Sequence, residues 1–142
     1  MEFRTIIDIP VSDFKIDHKS QISMFGSCFI ENIGGEMTAA GFCADINPFG
    51  VLYNPLSISQ AIKMLLDEKE FDKKDIFEHQ GLYHSFYHHS RFSDSDADTF
   101  LDNINKARAT SSLYFRKADV LFITFGTAFA YTHKEHNSGK LS

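Results

Sequence analysis

Two residues able to act as nucleophiles stand side by side in "ISMFGSCFIENIG" (22–34): Ser27 and Cys28, directly after Gly26. A hydroxyl attacks a carbonyl only once a base removes its proton, and a thiol becomes reactive where a helix N-terminus lowers its pKa. Each has a plainer alternative, Ser27 as a helix N-cap and Cys28 as a small core residue. Seven histidines are available as bases or ligands: His18, His79, His84, His88, His89, His133 and His136. His84 and His88 have the i,i+4 spacing of a metal pair, but neither a helical pattern nor a nearby cysteine accompanies them, so no metal site is expected. Asp94, Asp96 and Asp98 space like a calcium loop, yet the sixth and twelfth positions lack the Gly and Glu such a loop needs. They read better as acids favoured at a helix N-terminus.

The elements that must position these groups follow from hydrophobic period. Residues 1–20 alternate weakly and read as an extended arm, and 22–25 as a short buried strand. From Ser27, the residues Phe29, Ile30, Ile33, Met37 and Ala40 recur at helical spacing, with Gly41 in the C′ position. Gly34 and Gly35 inside that helix each cost about 1 kcal/mol relative to Ala, which suggests close packing against a sheet, the alternative being a plain weak spot in the helix. Residues 42–55, "FCADINPFGVLYNP", read as a second strand entering a Pro/Gly/Asn-rich loop. Ser57 and Gln60 have capping-box spacing ahead of a helix carrying Ala61, Ile62, Leu65 and Leu66. Residues 72–92 show no clean period, with at most a short strand at 82–87. A further helix is expected over 95–111, with Phe100, Leu101 and Ile104 on one face. The run 118–129, "ADVLFITFGTAF", has the pattern of a strand buried on both faces. The tail from 133 is polar.

This order predicts an α/β layer fold with a parallel sheet. Ligands in such folds bind at the carboxyl ends of the strands. The loops 26–28, 47–50 and 126–127 all occupy that position, which gives Ser27 structural weight beyond its residue type.

Composition narrows the function. The chain has 142 residues with 43% apolar and 23% charged, including fifteen Phe, enough for one domain with a real core. A net charge of −5 and a pI near 5.7 leave no basic stripe for phosphates, so a nucleic-acid partner is not expected. No apolar run approaches the roughly 20 residues that span a bilayer, so no membrane partner is expected. The N-terminus lacks the h-region of a leader, making the cytoplasm the default location. Cys28 and Cys43 form neither a disulfide framework nor a zinc motif and are expected as reduced thiols.

Taken together and in order, "FGSCFIENIG", "INPFGVLYNPLSI", "HHSRFS" and "FGTAFAY" resemble the GSCFA family, named from the first motif. That family is similar to the SGNH (GDSL-like) hydrolases, which cleave esters, often acetyl esters on carbohydrates. The resemblance implies a three-layer sandwich with a mostly parallel, flavodoxin-like sheet. It implies Ser27 as the nucleophile, with its own N–H in the oxyanion hole and a second donor at Gly50. SGNH enzymes take a third donor from an Asn after the third strand. Here that loop reads Gly126-Thr127-Ala128, so the donor would be Thr127, a backbone N–H, or Asn47 from another loop. His89, which directly precedes Ser90, would line the site as a substrate contact or a base, a structural histidine being the alternative.

SGNH enzymes carry their base in an Asp-x-x-His after two further strands, and the last fifteen residues here contain no Asp. The chain is therefore expected to form a single domain over 1–142 corresponding to the N-terminal portion of the family's fold. The base-bearing segment would be absent and a sheet edge left open to self-association. The implied function is a serine esterase acting on small-molecule or carbohydrate esters without a cofactor, with low activity in this form. The alternatives are a non-catalytic carbohydrate- or acyl-binding protein and a structural protein completed by a partner.

Overall fold

The computed structural model describes residues 7, 8 and 10–130. The polar tail, with His133 and His136, and most of the first nine residues lie outside them. Five strands and three helices follow in order: β1 (Gln21–Phe25), α1 (Cys28–Ala39), β2 (Cys43–Ile46), α2 (Pro55–Leu66), β3 (Phe77–His79), β4 (Leu82–His84), α3 (Ala97–Arg116) and β5 (Val120–Ile123). A single 3-10 turn, Ser90–Phe92, precedes α3. The chain is thus an α/β fold whose main sheet is parallel throughout, in the order β2-β1-β5.

β1 is the central strand, and its alternation sorts the two layers. Ile22 and Met24 point with Ala44, Ile46 and Val120 towards Ile30 and Met37 of α1. Phe25 points the other way, into a larger cluster with Ile58, Ala61 and Leu65 of α2 and Phe100 and Ile104 of α3. Each such side chain contributes roughly 1.5–3 kcal/mol by leaving water. The chain crosses from β1 to β2 over one face and returns past β1 to β5 over the other. Such a reversal opens a crevice at the carboxyl ends of the strands it separates.

Local chemistry explains most boundaries. α1 ends in a Schellman arrangement, with Gly41 at φ +89°, its N–H donating to Thr38 O (3.0 Å) and the Phe42 N–H to Met37 O (3.0 Å). His18 of the arm stacks on Phe42 and reaches the carbonyl of Ala40. Gly34 is pressed against the sheet: a Cβ there would lie 2.7 Å from Ile46 Cδ1, while one on Gly35 would meet nothing within 4 Å. Phe29 and Ile33 face outward, at 59% and 41% exposure, so the buried stripe of α1 is narrower than its spacing suggests.

α2 starts earlier than the Ser57–Gln60 spacing indicates. Asn54 is its N-cap, accepting the Ser57 N–H at 2.9 Å, and Pro55 takes the first position, where no N–H is needed. α3 runs five residues past Ser111, because Phe115 packs edge-on against Phe25 and the Ser112 hydroxyl donates to Leu65 O (2.9 Å). Within the stretch that has no clean period, Gln80-Gly81 (φ +53° and +78°) form the tight turn of the β3–β4 hairpin.

The largest departure is β5. It covers only four residues and is an edge strand rather than one buried on both faces. Leu121, Phe122 and Ile123 are 36–44% exposed and Phe125 60%. The continuous apolar run signals burial on both faces, but among the described residues only β1 pairs with it.

Candidate functional site

The loops 26–27, 47–53 and 124–127 leave the carboxyl ends of β1, β2 and β5 and are fastened together by backbone bonds. The Leu52 N–H donates to Gly26 O (2.9 Å), and the N–H groups of Gly126 and Thr127 both donate to Tyr53 O (2.8 and 3.0 Å). Gly26 is required by proximity: a Cβ would sit 2.2 Å from Thr124 Oγ1 and 2.6 Å from Thr124 O. A Cβ on Gly126 would lie 3.7 Å from Ser27 Cβ and 3.0 Å from the Tyr53 ring. Ser27 therefore stands at the crossover point of the sheet, with the Gly126 backbone and Tyr53 beside it.

Ser27 is the N-cap of α1 in extended conformation, and its Oγ accepts the Phe29 N–H at 3.3 Å. The N–H groups of Ser27 and Cys28 have no partner among the described residues. With the helix dipole behind them they favour negative charge on whatever faces Ser27. The N-cap and nucleophile readings are thus compatible in one geometry. No Asp, Glu or His side chain is bonded to Ser27 Oγ among the described residues. Cys28 is exposed and free, as is Cys43.

Asn47 is fully buried at φ +46° and organises the turn. Its Oδ1 accepts the Gly26 N–H (2.8 Å), and its carbonyl accepts both the Gly50 N–H (2.7 Å) and Arg91 Nη2 (2.7 Å). Its Nδ2 is buried without a protein partner among the described residues. Gly50, at φ +86°, leaves room for His89, whose Cβ lies 2.2 Å from where a glycine Cβ would be. The Gly50 N–H is engaged by Asn47, and the Thr127 hydroxyl accepts the Phe129 N–H at 3.1 Å. On the β1 side of the crevice, the N–H groups of Ser27 and Cys28 at the start of α1 are free among the described residues.

The two adjacent histidines separate sharply. His88 packs among Phe49, Phe71 and Phe92, with Nδ1 3.2 Å from Ser85 Oγ. Burial pulls its pKa down from 6.5 to about 4. His89 is exposed beside Gly50; its N–H donates to Phe49 O (2.8 Å) and its Nδ1 accepts the Arg91 N–H (3.1 Å). His84 Nδ1 lies 2.8 Å from Ser93 Oγ. Among the described residues, no three His, Cys, Asp or Glu side chains gather to hold an ion.

Sequence reasoning passed over Arg91 and Glu31. Arg91 Nη1 pairs with Glu31 Oε1 at 2.6 Å, one turn into α1, while Nη2 holds the Asn47 carbonyl. Their separation of sixty residues leaves no local signal; the one hint is that Arg91 follows "HHS" directly. Behind the crevice, on the α3 side, Asp45 is pushed up in pKa by burial, offset in part by a hydrogen bond with Ser111.

Among the described residues, no helix is long and apolar enough to cross a membrane. Comparison with curated proteins and with solved structures gave no match. The model of the GSCFA family matches residues 21–140, which takes in every loop of the crevice. The chain belongs to the GSCFA family.

Proposed function

We propose that the crevice at Ser27 recognises a small ester, such as an O-acylated carbohydrate, with Ser27 as the group that meets the ester carbonyl. The observation that carries this reading is the placement of Ser27: at the crossover of a parallel sheet, on a helix N-terminus, with two N–H groups unspent. On an SGNH-like reading of the fold, Ser27 Oγ bonds to the carbonyl carbon and its proton passes to a base. The carbonyl oxygen takes negative charge beside the free N–H groups, and the ester C–O bond then breaks to release the alcohol with a proton. Asn47 and Gly50 shape the turn that holds this geometry, Thr127 closes it from the β5 side, and His89 contacts the substrate.

A non-catalytic form of the same reading is favoured by one observation: Ser27 Oγ is bonded to the Phe29 N–H and to no acid or base among the described residues. On that ground we infer that these residues bind the ester and accept an acyl group on Ser27 only from an activated ester, and that repeated turnover depends on a base from outside them. The open edge of β5 is where a partner or a second copy would complete the sheet. Two exposed free thiols suit a reducing, cytoplasmic compartment.

Hydrolysis of p-nitrophenyl acetate tests the choice. Turnover that disappears in Ser27→Ala and survives in Cys28→Ala supports the esterase. Binding of an acetylated sugar that is weakened by Ser27→Ala, with no turnover in the wild type, supports the binding form. Neither activity nor binding sinks both.

A further inference from the structure

We infer that Arg91 is a positioning residue that fixes the tautomer of His89 and so makes His89 a hydrogen-bond donor to substrate rather than a base for Ser27. This rests on the reading of Ser27 as the carbonyl-facing group. The Arg91 backbone N–H donates to His89 Nδ1 at 3.1 Å. A nitrogen that accepts an N–H carries no proton of its own, so the neutral imidazole must carry its proton on Nε2. Nε2 has no protein partner among the described residues, and the side chain is exposed beside Gly50. A ring protonated on Nε2 can donate from there to a substrate carbonyl oxygen, and its Nδ1 lone pair, already accepting the Arg91 N–H, is not free to take the Ser27 proton.

The rest of Arg91 explains why that N–H is held in place. Its guanidinium is fixed at both ends, to Glu31 Oε1 on α1 (2.6 Å) and to the Asn47 carbonyl (2.7 Å). These are charge-assisted bonds, stronger than neutral ones. The 3-10 turn that carries His89 and Arg91 is thereby tied to the helix that Ser27 caps and to the loop that holds Gly26. One residue thus links the donor, the nucleophile's helix and the turn beneath it. Gly50 completes the device, since any side chain there would displace His89.

Long-range proton–nitrogen correlation spectra of the full 142-residue chain read the tautomer directly, with His89 assigned by its absence in His89→Gln. The expected result is one neutral tautomer in the wild type, protonated at Nε2, and a mixture of both tautomers in Arg91→Ala. A proton on Nδ1 in the wild type overturns the inference, and a single unchanged tautomer in Arg91→Ala overturns the role of the guanidinium. Should Arg91→Ala fail to fold, the wild-type spectrum still decides the donor assignment. A functional arm uses acylation of Ser27 by p-nitrophenyl acetate. His89→Ala should slow it by about 100-fold, and His89→Gln, which keeps an N–H donor but is no base, should recover most of the loss. Equal loss in both variants would assign His89 as the base instead. The tautomer does not depend on Ser27 reacting, so an intact tautomer with no acylation removes the Ser27 reading alone.

Discussion

The crevice around Ser27 and the β5 edge lie next to each other yet are built in opposite ways. In the crevice, backbone bonds join the three loops, glycines sit where no Cβ fits, and Asn47 and Arg91 each bond across loops. Along β5, apolar side chains face outward, and a cavity of about 240 Å³ lies between Pro55, Ile58 and Ile62 of α2 and Ile123 and Phe125. The first pattern is that of a preorganised polar site, where small displacements are costly. The second is that of a surface awaiting cover. Among the described residues, then, a tightly tied polar region stands beside an apolar face that only β1 pairs with.

The glycines should break this contrast most strongly. Gly26→Ala drives a methyl into the Thr124 backbone, and Gly50→Ala adds a left-handed strain to a clash with His89. We expect each to cost about 3–5 kcal/mol in urea unfolding, within the range of overpacked or strained positions. Gly35, with open space around it, is the control.

Next in size is the pH response of His88. Its pKa in the fold is near 4, against 6.5 when unfolded, so the unfolded chain takes up the proton first as pH falls. The contribution is fully present above pH 6.5 and is lost between there and pH 4, amounting to about 3 kcal/mol. His88→Phe should flatten that part of the stability–pH curve in thermal melts, whereas His89→Gln should leave it in place. Equal slopes in wild type and His88→Phe would contradict the buried assignment.

The edge should respond in association rather than in stability. Light scattering is expected to show concentration-dependent oligomers in the wild type that dissociate in Phe122→Lys, for less than about 1 kcal/mol of folding stability, as for other exposed positions. A clean wild-type monomer would mean that the edge is not a self-association surface. Smallest of all, Gly35→Ala should stabilise α1 by about 0.5–1 kcal/mol; a loss would mean that Gly35 packs as Gly34 does.

Much of the architecture was legible from hydrophobic period. The 22–25 strand, the helix after Ser27 with its Gly41 stop, and the crossing order of strands and helices all follow from local patterns that the fold obeys. Other features depend on partners far along the chain. The run 118–129 has a buried strand's composition, but burial is set by neighbours that its own residues do not encode. The start of α2 was misplaced because Asn54-Pro55 caps more effectively than Ser57–Gln60. The placement of Ser27 could be argued from strand–Gly–Ser–helix order alone. Neither the linkage of Arg91 to Glu31 and Asn47, nor the opposite fates of His88 and His89, has any signature in spacing, since both are products of tertiary packing.

If Ser27 is the residue that meets the ester carbonyl, the acyl group of an activated ester ends up on it, and mapping that adduct decides the matter. The chain would be incubated with p-nitrophenyl acetate and each modified residue located by peptide mass spectrometry, in wild type, Ser27→Ala and Cys28→Ala. Acetyl is expected on Ser27 in wild type and in Cys28→Ala, and none at that site in Ser27→Ala. Acetyl confined to Cys28, or scattered over surface lysines with Ser27 unmodified, would contradict it.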